Sequence, residues 1–268
     1  MAFQIGKAAK LLGMSPEGVR LYERAGILKP WRGENEQAYR TYEHMDFAAL
    51  IRARGYHHAG FTTKQTAQLL QAKGLEEVVD QYTRRRQELE HEIQFKKMLV
   101  DTLRELEEVS ARADQDLWRI TRRQQPAMYR FPFMRDGTYC LKDRQERALQ
   151  QWIAKTPITF ISQSNEWDKL AAGQIQYTAA LGIWEEQAHS LDLDLRWAEY
   201  YPARPALYSI VREEGNEFHP LISLKPLLEY VSESGSQVTG DPVSRVFVSI
   251  NKNENYTRYR EVWLPVEV

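Results

Sequence analysis

The chain has 268 residues, 43% of them hydrophobic and 27% charged, which is too apolar for a disordered segment and long enough for two domains, each with its own core. One cysteine, Cys140, excludes an intrachain disulfide and fits a reducing cytoplasm, and no run approaches the ~20 apolar residues that a membrane-spanning helix needs. The formal net charge of -1 is unevenly spread: residues 1–74 hold 11 Lys+Arg against 6 Asp+Glu, residues 75–125 hold 10 against 12, and residues 126–268 hold 15 against 19. A basic N-terminal part suits a polyanion, and an acidic C-terminal part suits a different partner.

Met1 to Gly6 lacks the basic and apolar runs of a signal peptide, so a soluble cytoplasmic protein is expected. Ile5, Ala8, Ala9, Leu11 and Leu12 lie at helical spacing, and Gly13 stops that helix. Ser15 supplies an N-cap oxygen, Pro16 sits at the first helical position, and a second helix runs through Val19, Leu21 and Tyr22 to Gly26. Two short helices joined by a tight turn make a helix-turn-helix, with the second as the groove reader. The turn-prone Gly33–Glu36 stretch and the Tyr39-Arg40-Thr41-Tyr42 run then read as a wing, whose guanidinium and phenols suit a phosphate backbone. A helix follows over Met45–Gly60, and a Thr cap after Phe61 opens another that reaches Leu70.

Ile5-Gly6, Ala9, Leu12-Gly13, Ser15, Val19-Arg20, Tyr22-Glu23, Gly26, Leu28 and the Arg40–Tyr42 wing closely resemble the N-terminal domain of MerR-type transcription regulators. Leu21 stands where many members have an aromatic, and Gly55-Tyr56-His57-His58 replaces a leucine-rich helix end. The resemblance implies double-stranded promoter DNA as partner, with Ser15, Arg40 and Tyr42 on phosphates and Tyr22 at the DNA. Arg20 is the candidate for groove contact, unless it forms a surface salt bridge with Glu17 or Glu23.

From Leu75 to Trp118 there is no proline or glycine, and apolar residues recur at three-four spacing from Leu75 through Leu89, Ile93 and Leu103 to Leu106. A helix of ~40 residues rises roughly 60 Å, more than one small domain needs. A solvated spacer has no need of such a stripe, and a coiled coil joining two subunits does. In MerR-type proteins this helix pairs antiparallel with its twin. Arg122 to Pro126 reads as a linker, which gives expected domains of 1–74, 75–120, 121–126 and 127–268.

The C-terminal part reads as two strand–helix–strand–strand halves. The first has strands at Met128–Phe133, Ile158–Ser162 and Tyr177–Trp184 around a helix at Asp143–Lys155. The second has strands at Ala206–Arg212, Arg245–Asn251 and Arg258–Val266 around a helix at Leu221–Ser232, which Pro226 is expected to delay, with a short extra strand near Gln237–Thr239. The fold class is therefore α+β. This doubled pattern resembles the GyrI-like effector domain of multidrug-sensing MerR-type regulators, and TRYREVWLPVEV resembles that domain's last strand, with its glutamate at Glu261. Alternation puts Tyr259, Glu261 and Trp263 on one face. The acid faces water, or pairs with an arginine such as Arg245 or Arg258, or meets a cationic ligand. Tyr177, Tyr208 and Phe247 are the further candidates for lining an effector pocket, with Trp184 a weaker one.

No P-loop, GxSxG or HExxH motif is present, and His57 and His58 are adjacent and poorly placed to chelate together. No catalytic residue, metal or cofactor is expected. The family implies a homodimer that, with RNA polymerase, distorts an overlong promoter spacer when a lipophilic effector of cationic character binds. The alternatives are a GyrI-like hydrolase, with a Glu activating water, and a ligand-independent architectural DNA binder.

Overall fold

The computed structural model describes residues 3–30, 41–215, 220–252 and 255–267. It divides into two compact units, Met1–Phe95 and Lys96–Val268, and the division falls inside the long helix.

In the first unit, β1 (Phe3–Gln4) leads into α1 (Ile5–Leu11), and Gly13 turns the chain at φ +61°. Helix α2 (Pro16–Arg24) opens on Ser15, whose Oγ accepts the Gly18 N–H at 3.1 Å, and stops before Gly26 at φ +72°. β2 (Thr41–Tyr42) pairs antiparallel with β1. α3 (His44–His58) and α4 (Thr63–Leu70) follow, the second opened by a capping box between Thr62 and Gln65. The core gathers Ala9, Val19, Tyr22, Leu28, Tyr42, Leu50 and Ala53.

Helix α5 (Leu75–Arg112) is 38 residues long. Its first turns are tied to α3 by Arg85, whose Nε donates to the Ala59 carbonyl at 2.8 Å. Leu75, Val79, Tyr82, Ile93, Val100 and Leu103 stand exposed along it. The helix ends at Arg112, short of the expected 120.

The second unit is built on a nine-stranded antiparallel sheet. Its elements in chain order are β3 (Thr121–Gln125), β4 (Met128–Arg135), β5 (Thr138–Tyr139), α6 (Asp143–Ile153), β6 (Phe160–Asn165), α7 (Trp167–Ala171), β7 (Tyr177–Trp184), α8 (Glu185–Ala188), β8 (Glu199–Tyr201), β9 (Arg204–Glu214), α9 (Pro220–Ser223), α10 (Lys225–Ser234), β10 (Val243–Lys252) and β11 (Asn255–Pro265). The strand order is β3-β9-β11-β10-β6-β7-β4-β5, with β8 beside β4. The two halves, β4-α6-β6-β7 and β9-α10-β10-β11, join edge to edge at β6 and β10. Lys225 and Pro226 open α10, as the proline requires, because its missing N–H is harmless in the first turn. At the place of the expected extra strand there is one bridge, Val238 to Val266.

The expected linker is corrected. Residues 121–125 form β3, paired along its length with β9, because a polar edge strand needs only its backbone donors and acceptors to join a sheet. One face of the sheet packs Leu207, Val211, Val262 and Leu264 under α10. The other packs Met128, Tyr208, Ile210, Val243 and Trp263 against Val109 at the end of α5 and Ala113 just after it.

Candidate functional site

On α2 the local sequence sets what faces outward. With Val19 and Tyr22 drawn into the core, Glu17, Arg20 and Arg24 are left on the solvent side. Arg20 Nη1 donates to Glu17 Oε2 at 3.0 Å and Arg24 Nη2 to Glu17 Oε1 at 2.8 Å. These guanidinium bonds hold the Glu17 carboxyl below its ordinary pKa. Arg20 therefore takes the surface ion pair here, and an exposed pair of this kind exchanges readily for another anion. Ser15 is engaged as the cap.

Tyr22 and Tyr42, read from the sequence as DNA contacts, lie in the core of the domain. Their relative exposures are 4% and 0%, because a domain this small spends its largest apolar side chains on its core. Tyr22 lies edge-on to His57, with ring centroids 5.7 Å apart. Arg40 lies outside the described residues.

The sheet brings together five of the six residues read as effector-lining. Tyr208 and Trp263 face each other across β9 and β11, with ring centroids 5.6 Å apart, and Phe247 and Tyr259 pack against the same cluster. Glu261 sits among them, 7% exposed. Tyr177 is elsewhere, at a polar cavity of about 410 Å³ that Arg135, Asn165, Glu199 and Asp241 also line. The central face is not an open cleft in this state, because Val109 and Ala113 are packed onto it.

Glu261 has partners within the chain. Tyr208 donates its hydroxyl to Oε1 at 2.9 Å, and Arg245 approaches Oε2 at 2.9 Å through Nε and 2.8 Å through Nη2. The acid is thus neutralised by an arginine whose Cα is its cross-strand partner, one of the alternatives open at the sequence level. Burial first, and the Glu261 charge second, push the Tyr208 hydroxyl well above the ordinary tyrosine pKa, since its ionisation would place a second anion beside the first.

Arg245 also donates from Nη1 to Glu105 Oε1, 2.9 Å away on α5. Its guanidinium carbon lies 5.2 Å from the Trp184 ring centroid and 5.5 Å from that of Phe160, within cation–π range. Phe160 can lie there because its cross-strand partner is Gly182, where an added Cβ would stand 2.5 Å from the ring. A second cation, Arg123 from β3, rests 4.0 Å over the Tyr208 ring.

A third, Arg130, is fully buried on β4. It donates to Ser162 Oγ, Ser164 Oγ, the Tyr201 hydroxyl and the Thr178 carbonyl, and burial lowers its pKa from the ordinary value. Arg123, Arg130, Glu105, Phe160 and Gly182 were missed by sequence reasoning. The signal that could have found Phe160 and Gly182 was strand register.

Residues 3–73 match the MerR HTH family regulatory protein model, so the chain carries a MerR-type helix-turn-helix domain at its N-terminus. A 66-residue stretch is 39% identical to a probable heavy metal-dependent transcriptional regulator of Haemophilus influenzae. That stretch covers 25% of this chain and 51% of the relative, so the chain spans about half the length of the curated relative it matches. Among solved structures, a MerR-family transcriptional regulator from Bacillus cereus is 19% identical, with a TM-score of 0.36 over 43% of this chain and 86% of that one. EcmrR, solved in a complex with DNA, is 15% identical, with a TM-score of 0.39 over 99% of each chain.

Among the described residues no group of three or more His, Cys, Asp or Glu could hold a metal ion, and no helix is long and apolar enough to cross a membrane.

Proposed function

We propose that this protein is an effector-responsive transcription regulator that binds promoter DNA as a homodimer, with RNA polymerase as the further partner, and distorts the DNA when a lipophilic, cationic small molecule binds the C-terminal sheet. The observation that carries the reading is the MerR-type domain over residues 3–73, with α2 presenting Arg20 to solvent. Dimerisation is supported by the stripe on α5, where Leu75, Val79, Ile93, Val100 and Leu103 stay more than half exposed among the described residues. Effector binding is supported by the cluster of Tyr208, Phe247, Tyr259 and Trp263 around Glu261.

Bending and untwisting an operator costs a few kcal/mol by elastic estimates. That energy has to come from an effector that binds the distorting state more tightly than the other. Of the alternatives, the hydrolase draws least support, since both oxygens of Glu261 are already committed to Tyr208 and Arg245. The packing of Val109 and Ala113 on the aromatic face favours one second reading, a DNA binder that needs no ligand.

The experiment is selection of an operator from random duplexes, followed by titrations across salt concentration with and without tetraphenylphosphonium. Arg20→Ala should relax sequence preference at about one base position per half-site, and the effector should change operator affinity or distortion. Absence of any preferred duplex sinks the regulator. A preferred duplex indifferent to a series of lipophilic cations leaves the ligand-free binder. Leu89→Glu with Leu103→Glu should give monomers in sedimentation; a persistent dimer removes α5 as the interface.

A further inference from the structure

Resting on that effector reading, the identity of the ligand can be taken from the side chain that now fills the site. Arg245 is 2% exposed, held between two carboxylates and against two aromatic rings. Each wall has support of its own. Tyr208 holds Glu261, Gly182 seats Phe160, and Trp263 stands edge-on to Trp184 with ring centroids 5.7 Å apart. Glu105 projects from α5, its side chain 45% exposed.

A guanidinium suits these walls because it is planar, weakly hydrated, forked toward carboxylates and able to stack on ring faces. Any cation of the same build meets the same walls, whereas a neutral or anionic molecule leaves two acids without a counter-charge. We infer that Arg245 is the built-in occupant of a site for planar amidinium or guanidinium cations, and that such a ligand binds by taking its place between Glu261, Glu105, Phe160 and Trp184. Taking its place also breaks the Arg245–Glu105 bond, which ties β10 to the helix that carries the proposed dimer stripe. Ligand entry and release of α5 are then one event.

Calorimetry on the full chain with benzamidinium, and with neutral benzamide as the size-matched control, tests this. Arg245→Ala should bind benzamidinium tighter than the wild type by about tenfold or more, with no gain for benzamide. Adding Glu261→Gln to that variant should cancel the gain. Equal benzamidinium affinity in variant and wild type overturns the inference.

If the vacated acids unfold the variant, its thermal transition becomes the readout, since a ligand that binds only the native state restores it. Restoration by benzamidinium but not benzamide supports the site, and restoration by neither overturns it. Tetraphenylphosphonium titrated into the wild type addresses the effector reading by itself. Binding there, with no benzamidinium gain in the variant, overturns the inference and keeps the effector. A benzamidinium gain in the variant, with no cation of any kind changing wild-type operator binding, supports the site and removes its effector role.

Discussion

The molecule forms a similar ion pair in two very different settings. On α2, Arg20 and Glu17 meet at 3.0 Å with side chains 45% and 59% exposed; on the sheet, Arg245 and Glu261 meet at 2.8 Å with side chains 3% and 9% exposed. Contact distance alone does not separate them. In water the first pair is held weakly, so Arg20 is available to another anion. In the interior the second is held by the cost of leaving either charge alone, so it yields only to a substitute of like charge. The proposed DNA contact of Arg20 draws on the first arrangement, and the proposed ligand exchange at Arg245 on the second.

Removing one partner from each pair sharpens the contrast. Glu261→Ala should destabilise the second unit by on the order of 3 kcal/mol in urea denaturation, because the buried Arg245 loses its buried counter-charge and keeps the half-exposed Glu105. A loss as small as that of a surface substitution would mean that solvent reaches the pair.

Tyr208→Phe comes next, at about 2 kcal/mol, the range for losing a hydrogen bond to a charged acceptor. It carries a pH signature too. The folded-state pKa of Tyr208 is raised, so its contribution is complete below the ordinary tyrosine value near 10 and is lost as pH rises through the folded value. The wild type should therefore lose more stability on the alkaline side than the phenylalanine variant, which keeps only the contributions of other tyrosines with raised values, such as Tyr22 and Tyr56. Identical alkaline profiles would detach Tyr208 from Glu261.

Ser15→Ala should cost about 1 kcal/mol in the first unit, by uncapping α2. Smallest is Glu17→Gln, which should lower the melting midpoint only slightly at neutral pH and match the wild type in acid. The Glu17 pKa is lowered, so its slight contribution is present above the ordinary carboxylate range and fades as pH falls through the folded value. The variant should flatten only that acid limb.

The DNA-binding end is legible in sequence because its determinants are neighbours. Gly13, Ser15, Pro16 and Gly26 act within a turn or two of themselves, and the helices begin and end where those residues demand. The sheet is legible in plan for a similar reason: alternation and turn residues mark each strand, and Pro226 marks the delayed helix.

What alternation leaves open is which strand lies beside which. Tyr259, Glu261 and Trp263 could be placed on one face from the sequence. That Arg245 stands opposite Glu261, with Glu105 reaching in from 140 residues earlier, depends on register and on the return of α5 over the sheet. β3 was missed for a related reason, since Arg122 to Gln125 carry no apolar alternation and their pairing comes from β9. Tyr22 and Tyr42 show the converse: an aromatic beside a cation reads as a nucleic-acid contact, and the structure shows in addition that the core takes it up.

Gly182 lies under the ring of Phe160, so one wall around Arg245 stands only while a strand position carries no side chain. Alanine there would leave every charge and every aromatic in the composition untouched and still push the ring off its seat. The character of the site is thus written partly in a residue that offers it no atoms beyond backbone. Inventories of chemically active side chains pass over such a position, and a change there would reshape the surroundings of Arg245 without altering any charged or aromatic residue.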